Sequence, residues 1–179
     1  MKRHLSLLLL VLFFSCGTAY AQLLAFKTDA LMDVMATPNL NIELVTGGKT
    51  SNNASVFGNH KPWNQDMKMI GFMPEIRYWF NGRPLTREFV GLSAVAANYD
   101  ITWGKERYDG DALGLGLTFG YAFYLSRHFS LECHAGTALM HYRHTHSYVG
   151  DRTRVNAYNA KGYTFIPYKV GISFIYILK

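Results

Sequence analysis

Residues 113–125 read Leu113-Gly114-Leu115-Gly116-Leu117-Thr118-Phe119-Gly120-Tyr121-Ala122-Phe123-Tyr124-Leu125. Every odd position is large and apolar, and most even positions are Gly, Ala or Thr. Side chains of a strand point alternately to its two faces, so period two is a strand signature. Thirteen unbroken residues exceed the ~5–6 of an ordinary soluble strand and suit the ~9–11 of a tilted strand crossing a bilayer.

The same alternation recurs on both sides of that stretch. Residues 70–80 set Ile70, Phe72, Pro74, Ile76, Tyr78 and Phe80 against Gly71, Met73, Glu75, Arg77 and Trp79. Residues 129–139 set Phe129, Leu131, Cys133, Ala135, Thr137 and Leu139 against Ser130, Glu132, His134, Gly136 and Ala138. Residues 166–178 put Ile166, Tyr168, Val170, Ile172, Phe174, Tyr176 and Leu178 on one face, with Lys169, Gly171 and Ser173 opposite. Weaker alternation covers 23–33, 38–46, 51–58 and 88–100, which makes eight strands. Turn-forming residues break the chain between them, among them Asn81-Gly82-Arg83-Pro84, Lys105 to Gly110, and Thr145 to Gly162.

The first 21 residues are read differently. Lys2, Arg3 and His4 precede an apolar run from Leu5 to Phe14, and Ala19-Tyr20-Ala21 forms an A-x-A site. That is the pattern of a Sec-type export leader cut after Ala21, leaving 22–179 as the mature domain. Cys16 makes a poor lipoprotein cysteine, because Phe13 stands where a branched aliphatic is expected. Without the leader, Cys133 is the only cysteine, which rules out an intrachain disulfide. The mature part keeps 16 basic against 12 acidic residues. No motif that cradles phosphate or reads a groove accompanies this charge, so nucleic acid is not an expected partner.

Alternation alone does not say which face is wet. A soluble barrel hides its apolar face inside, whereas a membrane barrel shows it to lipid. Here the apolar faces of the four clear strands are almost free of charge, and the opposite faces combine glycines with charges of both signs. Aromatic residues also gather at strand ends (Tyr78, Phe80, Trp103, Tyr121, Phe123, Tyr142, Tyr163 and Tyr176), as in interfacial girdles. The expected fold is therefore all-β: an eight-stranded antiparallel up-and-down transmembrane barrel in the outer membrane. Its partners would be membrane lipid and the barrel-assembly machinery.

On this sidedness Lys27, Asp29, Glu43, Glu75, Arg77, Glu132, His134 and Lys169 face inward. Buried charges must pair, so they are expected to form one network that plugs the lumen. A proton or ion path through Glu132, His134 and Arg77 is the functional alternative. His144 and His146 share a strand face and are weak metal candidates; carboxylates are scarce nearby, and no metal or other cofactor is expected. His128-Phe129-Ser130 with Glu132 is the one arrangement suggesting nucleophilic hydrolysis, but it lies at the short Ser126-Arg127 turn, the end away from outer-leaflet lipid. No catalytic residue is assigned.

Three segments carry a family resemblance. Thr37-Pro38-Asn39-Leu40-Asn41-Ile42-Glu43 and Pro74-Glu75-Ile76-Arg77-Tyr78-Trp79-Phe80 are two. The third is Lys169-Val170-Gly171-Ile172-Ser173-Phe174-Ile175-Tyr176. In it Lys169, Gly171, Phe174 and Tyr176 also match the C-terminal assembly signal of bacterial outer-membrane barrels, although Ile177, Leu178 and Lys179 follow the last aromatic. Together these segments resemble the domain-of-unknown-function 3575 family of small outer-membrane barrels in Bacteroidota. The resemblance implies an export leader, an eight-stranded barrel and genes often close to those of fimbrial subunits, and it brings no activity.

With the N-terminus in the periplasm, the outside loops fall at about 34–37, 59–67, 101–110 and 143–162, and the inside turns at 47–50, 81–87 and 126–127. Loop 143–162 is the longest, with Arg143, Arg152, Arg154 and Lys161 against Asp151. Arg152, Arg154 and Lys161 are the candidate surface-binding residues, for anionic glycolipid or for a fimbrial or other surface protein. The expected role is non-enzymatic, structural or surface-interacting. An enzyme acting on outer-membrane lipid A and a secreted soluble barrel holding a small apolar ligand are the alternatives.

Overall fold

The computed structural model describes residues 23–148 and 160–178, without the side chains of His146 and Tyr148. The leader reading of residues 1–21 therefore lies outside the described residues. Eight strands follow in chain order: β1 (Leu24–Asp29), β2 (Asn39–Val45), β3 (Thr50–His60), β4 (Met67–Trp79), β5 (Arg87–Trp103), β6 (Glu106–Tyr124), β7 (Phe129–Tyr148) and β8 (Ala160–Leu178). Each pairs antiparallel with the next, and β8 pairs antiparallel with β1, closing the ring. Among the described residues no helix is long and apolar enough to cross a membrane, which says nothing of strands.

Burial alternates along every clear strand in one sense. Leu115, Phe119, Ile70 and Phe174 point outward with 66%, 61%, 63% and 55% of their surface exposed. Glu75, Arg77, Thr118 and Glu132 point inward and are buried. The ring is thus apolar outside and polar inside. Glycines on the inner side make room for this content: a Cβ at Gly91 would collide with the Glu75 carboxylate, and one at Gly171 with that of Asp29.

At the end that carries the short turns, the start of β1 and the end of β8, the interior is apolar. Trp79, Leu85, Phe89, Ala122, Ile175 and Ile177 pack there as a stopper, Leu85 contributed by the turn after β4. Trp79 and Phe89 rings lie 4.8 Å apart. Farther along the lumen Met73, Val95, Ala138 and Met140 form a second apolar layer.

Several sequence expectations are corrected. Residues 23–33 do not form one strand: β1 stops at Asp29, and α1 (Ala30–Val34) follows. The Asp29 carboxylate accepts from the Leu31 and Met32 amides at 2.9 and 3.0 Å, satisfying donors that a helix start leaves free. The expected loop 101–110 is a tight hairpin around Gly104-Lys105, with Gly104 at φ 65° and Trp103 pairing Glu106. The polar run from Glu106 to Asp111 continues the ladder, supported by Arg107 donating to Asp100 at 2.6 Å. Likewise β7 runs on to Tyr148 and β8 begins at Ala160, so the expected loop 143–162 is strand at both of its ends, and residues 149–159 lie outside the described residues.

A β-bulge between Gly136/Thr137 and Pro167–Lys169 flips the near half of β8. Tyr168, expected outward, turns inward, its hydroxyl 2.6 Å from both Ser93 Oγ and Thr118 Oγ1. Ile166, also expected outward, pairs with buried Ala138 and shares its inner side. Tyr163 and Phe165 take the outward positions, 74% and 68% exposed. Tyr142, expected in an outer girdle, stacks on His144 in the same register series as buried Met140.

Candidate functional site: the charged interior and the cavity above it

The eight residues expected inward by alternation meet inside the ring. Arg77 stands at the centre. Its Nη1 lies 3.0 Å from Glu43 Oε2 and 2.9 Å from Glu132 Oε2, while Nη2 lies 2.8 Å from Glu75 Oε2. Strand periodicity explains the pairing with Glu75, since residues two apart share a face. Lys27 bridges Glu132 at 2.6 Å and also pairs with Glu43. Lys169 reaches Glu75 at 3.0 Å. His134 lies between Asp29 (3.0 Å) and Glu132 (3.4 Å), although neither ring nitrogen is aligned for a hydrogen bond.

Charged groups taken out of water are costly unless each finds partners and hydrogen bonds. Neutral groups complete the set here. Trp79 Nε1 donates to Ser51 Oγ at 2.8 Å, and Ser51 in turn donates to Glu43. Asn53 donates to Glu75 at 3.4 Å. The Arg77 guanidinium also lies over the Phe89 ring, 4.4 Å from its centroid, so the charge layer rests on the apolar stopper. Charges and stopper together fill the lumen at the end of the short turns.

At the other end the lumen is open. A cavity of about 570 Å³ descends between α1, the Lys61–Asp66 connection and the bulged part of β8, as far as Lys27, Arg77, Glu132 and His134. Its walls include Met32, Met35, Met67, Met69 and Met73. Sequence reasoning assigned the charges at the bottom and missed the cavity. The methionines are scattered over residues 32–73, and only the placement of α1 above the ring brings them together.

The remaining candidates fall elsewhere. Gly171 faces inward beside Asp29, while Phe174 and Tyr176 face outward on the last strand. His144 is held in an aromatic cluster, its Nδ1 3.1 Å from the Tyr99 hydroxyl and its ring stacked on Tyr142. The His146 side chain lies outside the described residues, and among these residues no group of three or more His, Cys, Asp or Glu side chains is placed to hold a metal ion. His128 and Ser130 do not meet: His128 stacks on outward Tyr176, whereas Ser130 is buried and its hydroxyl makes no hydrogen bond. Lys161 is exposed at the start of β8; Arg152 and Arg154 lie outside the described residues.

The sequence model of the family described as protein of unknown function (DUF3575) matches residues 7–178, and the chain belongs to that family. No curated protein and no solved structure matches it.

Proposed function

We propose that this member of the family is an outer-membrane β-barrel, delivered by a cleaved leader, with a non-enzymatic structural or surface-interaction role. The observation that carries the reading is the sidedness of the ring. Water-exposed monomers rarely carry apolar patches beyond a few hundred Å². Here outward Leu, Ile, Phe and Val side chains recur along β4, β6 and β8, and the buried ion-pair network of Lys27, Glu43, Glu75, Arg77, Glu132 and Lys169 lies inside. Lipid is the solvent that suits such an exterior, and a closed ring leaves no unpaired edge across its paired part.

The filled lumen favours a structural or docking role over conduction. An eight-stranded ring encloses only side chains or one small ligand, and the stopper and charge layer occupy one end. The short turns would face the periplasm. The far ends of β5–β8, 17, 19, 20 and 19 residues long, would stand above the membrane as a wall carrying the basic connection with Arg152, Arg154 and Lys161. Anionic glycolipid is the proposed partner there, with a fimbrial or other surface protein second. Ion pairs such as Arg107–Asp100 at 2.6 Å sit on the outward side of that wall, where aqueous contact suits them better than lipid.

The test is fractionation followed by electrophoresis with and without boiling. The chain should stay in the membrane pellet after a urea wash and should migrate differently before and after heating. Recovery in the soluble periplasmic fraction with unchanged mobility would refute the assignment and favour the soluble ligand-binding alternative.

A further inference from the structure

The strand ring is fully paired at its stoppered end and incomplete at the other. β8 pairs with β1 only from Ser173 to Leu178, because β1 ends at Asp29. Among the described residues no strand pairs with that edge of β8 from Ala160 to Ile172. The cavity reaches this gap, since Pro167, Tyr168, Lys169 and Val170 are part of its wall, and α1 lies across from them. Leu31, Val34 and Met35 of the helix and its cap are exposed beside the opening. Val170, Ile172 and Phe174 continue the apolar exterior along the gap's flank.

The lining changes character with depth. Five of the chain's seven methionines are in the walls. Thioether side chains are flexible and polarisable, and they adapt to apolar partners of irregular or variable shape. The bottom is polar, and its charges are already matched: Lys27, Arg77 and Lys169 face Glu43, Glu75 and Glu132, while the Asp29 carboxylate accepts from the Leu31 and Met32 amides beside the His134 ring. A ligand bringing a full charge of either sign would upset that balance in a water-poor site. His134 is buried, reaches the cavity, and makes no hydrogen bond through either ring nitrogen. A hydroxyl can accept from an imidazole N–H and donate to a neighbouring carboxylate, whatever the charge state of the ring. The volume lies within the ~300–1,000 Å³ of small-molecule pockets.

We propose that this cavity binds an uncharged single-chain amphiphile, its alkyl tail among the methionines and its hydroxyl at His134, admitted sideways through the gap between β8 and α1. Access from the bilayer rests on the membrane reading above; the cavity chemistry does not.

The test uses the mature protein in phosphatidylcholine nanodiscs, with radiolabelled 1-decanol, decanoate and decyltrimethylammonium as probes and empty nanodiscs as background. Decanol should bind saturably, about one per chain, and the two charged probes about tenfold more weakly or not at all. Met69→Trp, which fills the cavity, and His134→Phe should each weaken decanol about tenfold. His134→Gln keeps a donor and an acceptor and should retain binding. Met35→Trp, at an exposed position of the mouth, serves if the interior variants do not fold. Inserted, heat-modifiable protein that takes up no decanol above background would overturn the proposal. So would equal binding of all three probes, or binding indifferent to the folded cavity variants. Protein that fails to enter nanodiscs would instead refute the membrane reading, and the same probes added in solution would then decide the cavity alone.

Discussion

Arg77 shows how much of the interior one side chain holds. It is the shared cation of Glu43, Glu75 and Glu132, and it lies over Phe89. Arg77→Met should leave three buried carboxylates short of a partner and lower stability by about 3–5 kcal/mol, less if water enters the lumen. Lys169→Met should cost clearly less, because Glu75 keeps its contacts with Arg77. Urea unfolding followed by loss of heat modifiability measures both, and equal midpoints for the two variants would contradict a network centred on Arg77. The network members were legible in the sequence because strand alternation assigns a face to each residue with no knowledge of contacts. Glu75 and Arg77 at i and i+2 had to share a side. The partner of each charge was not legible, since Lys27 meets Glu132 across 105 positions of chain.

Among the elements, β8 is the one where the pattern both informs and misleads. From Gly171 to Leu178 the alternation and the burial agree residue by residue. Phe174→Asp should therefore put a carboxylate on the outer face, which on the proposed membrane reading is the lipid side, at a cost below the ~2–4 kcal/mol of a cationic residue at the bilayer midplane. Its readout is the fraction of protein inserted in the outer membrane, expected to fall well below wild type, and undiminished insertion would count against the outward placement of Phe174. Before Lys169 the pattern misleads because the bulge adds one residue, and Tyr168 is too large and too polar at its tip to leave unpartnered inside. Tyr168→Phe should cost about 1–2 kcal/mol, as Ser93 and Thr118 lose their shared hydroxyl partner. A cost near zero would mean that lumen water replaces it. α1 was missed for a related reason. Leu31 and Asp33 prolong the weak alternation that begins at Leu23, and the signal to stop the strand is the single capping carboxylate of Asp29. The long hairpin through Gly104 was missed because Glu106, Arg107 and Asp109 read as loop, although outside an apolar environment a ladder can alternate polar residues on both faces.

At the scale of the whole molecule, one end is sealed and the other is built upward. β7 and β8 are among the longest strands and flank the basic segment with Arg152 and Arg154, so they would give a recognition element there a rigid base. Neutralising Arg152, Arg154 and Lys161 together should leave folding unchanged, since exposed charges contribute little to stability. It should reduce attachment to vesicles of anionic glycolipid, and wild-type attachment should itself weaken with salt, as the Debye length falls from ~10 Å at 0.1 M towards ~3 Å at 1 M. Attachment that survives both the triple substitution and high salt would remove glycolipid recognition from the proposed role while leaving the barrel intact. The succession of strands was legible from period two, and the polarity of the interior from the glycines and charges that stand opposite the apolar faces. The cavity was not, because it depends on where α1 and the bulge place side chains relative to a gap that no local pattern encodes.

If the chain is an outer-membrane barrel, the apolar outer face of the ring lies in hydrocarbon. Nitroxide labels attached to single cysteines at Leu113, Leu115, Leu117 and Phe119 of β6, and at Ile172 and Phe174 of β8, report it directly, with Cys133→Ala removing the native thiol. In reconstituted vesicles, collision rates with oxygen, which concentrates in the bilayer, and with a water-soluble nickel chelate give the depth of each label. Oxygen-dominated collisions are expected at all six positions, deepest near the middle of each strand. Collisions dominated by the nickel chelate along both strands would place that face in water and contradict it.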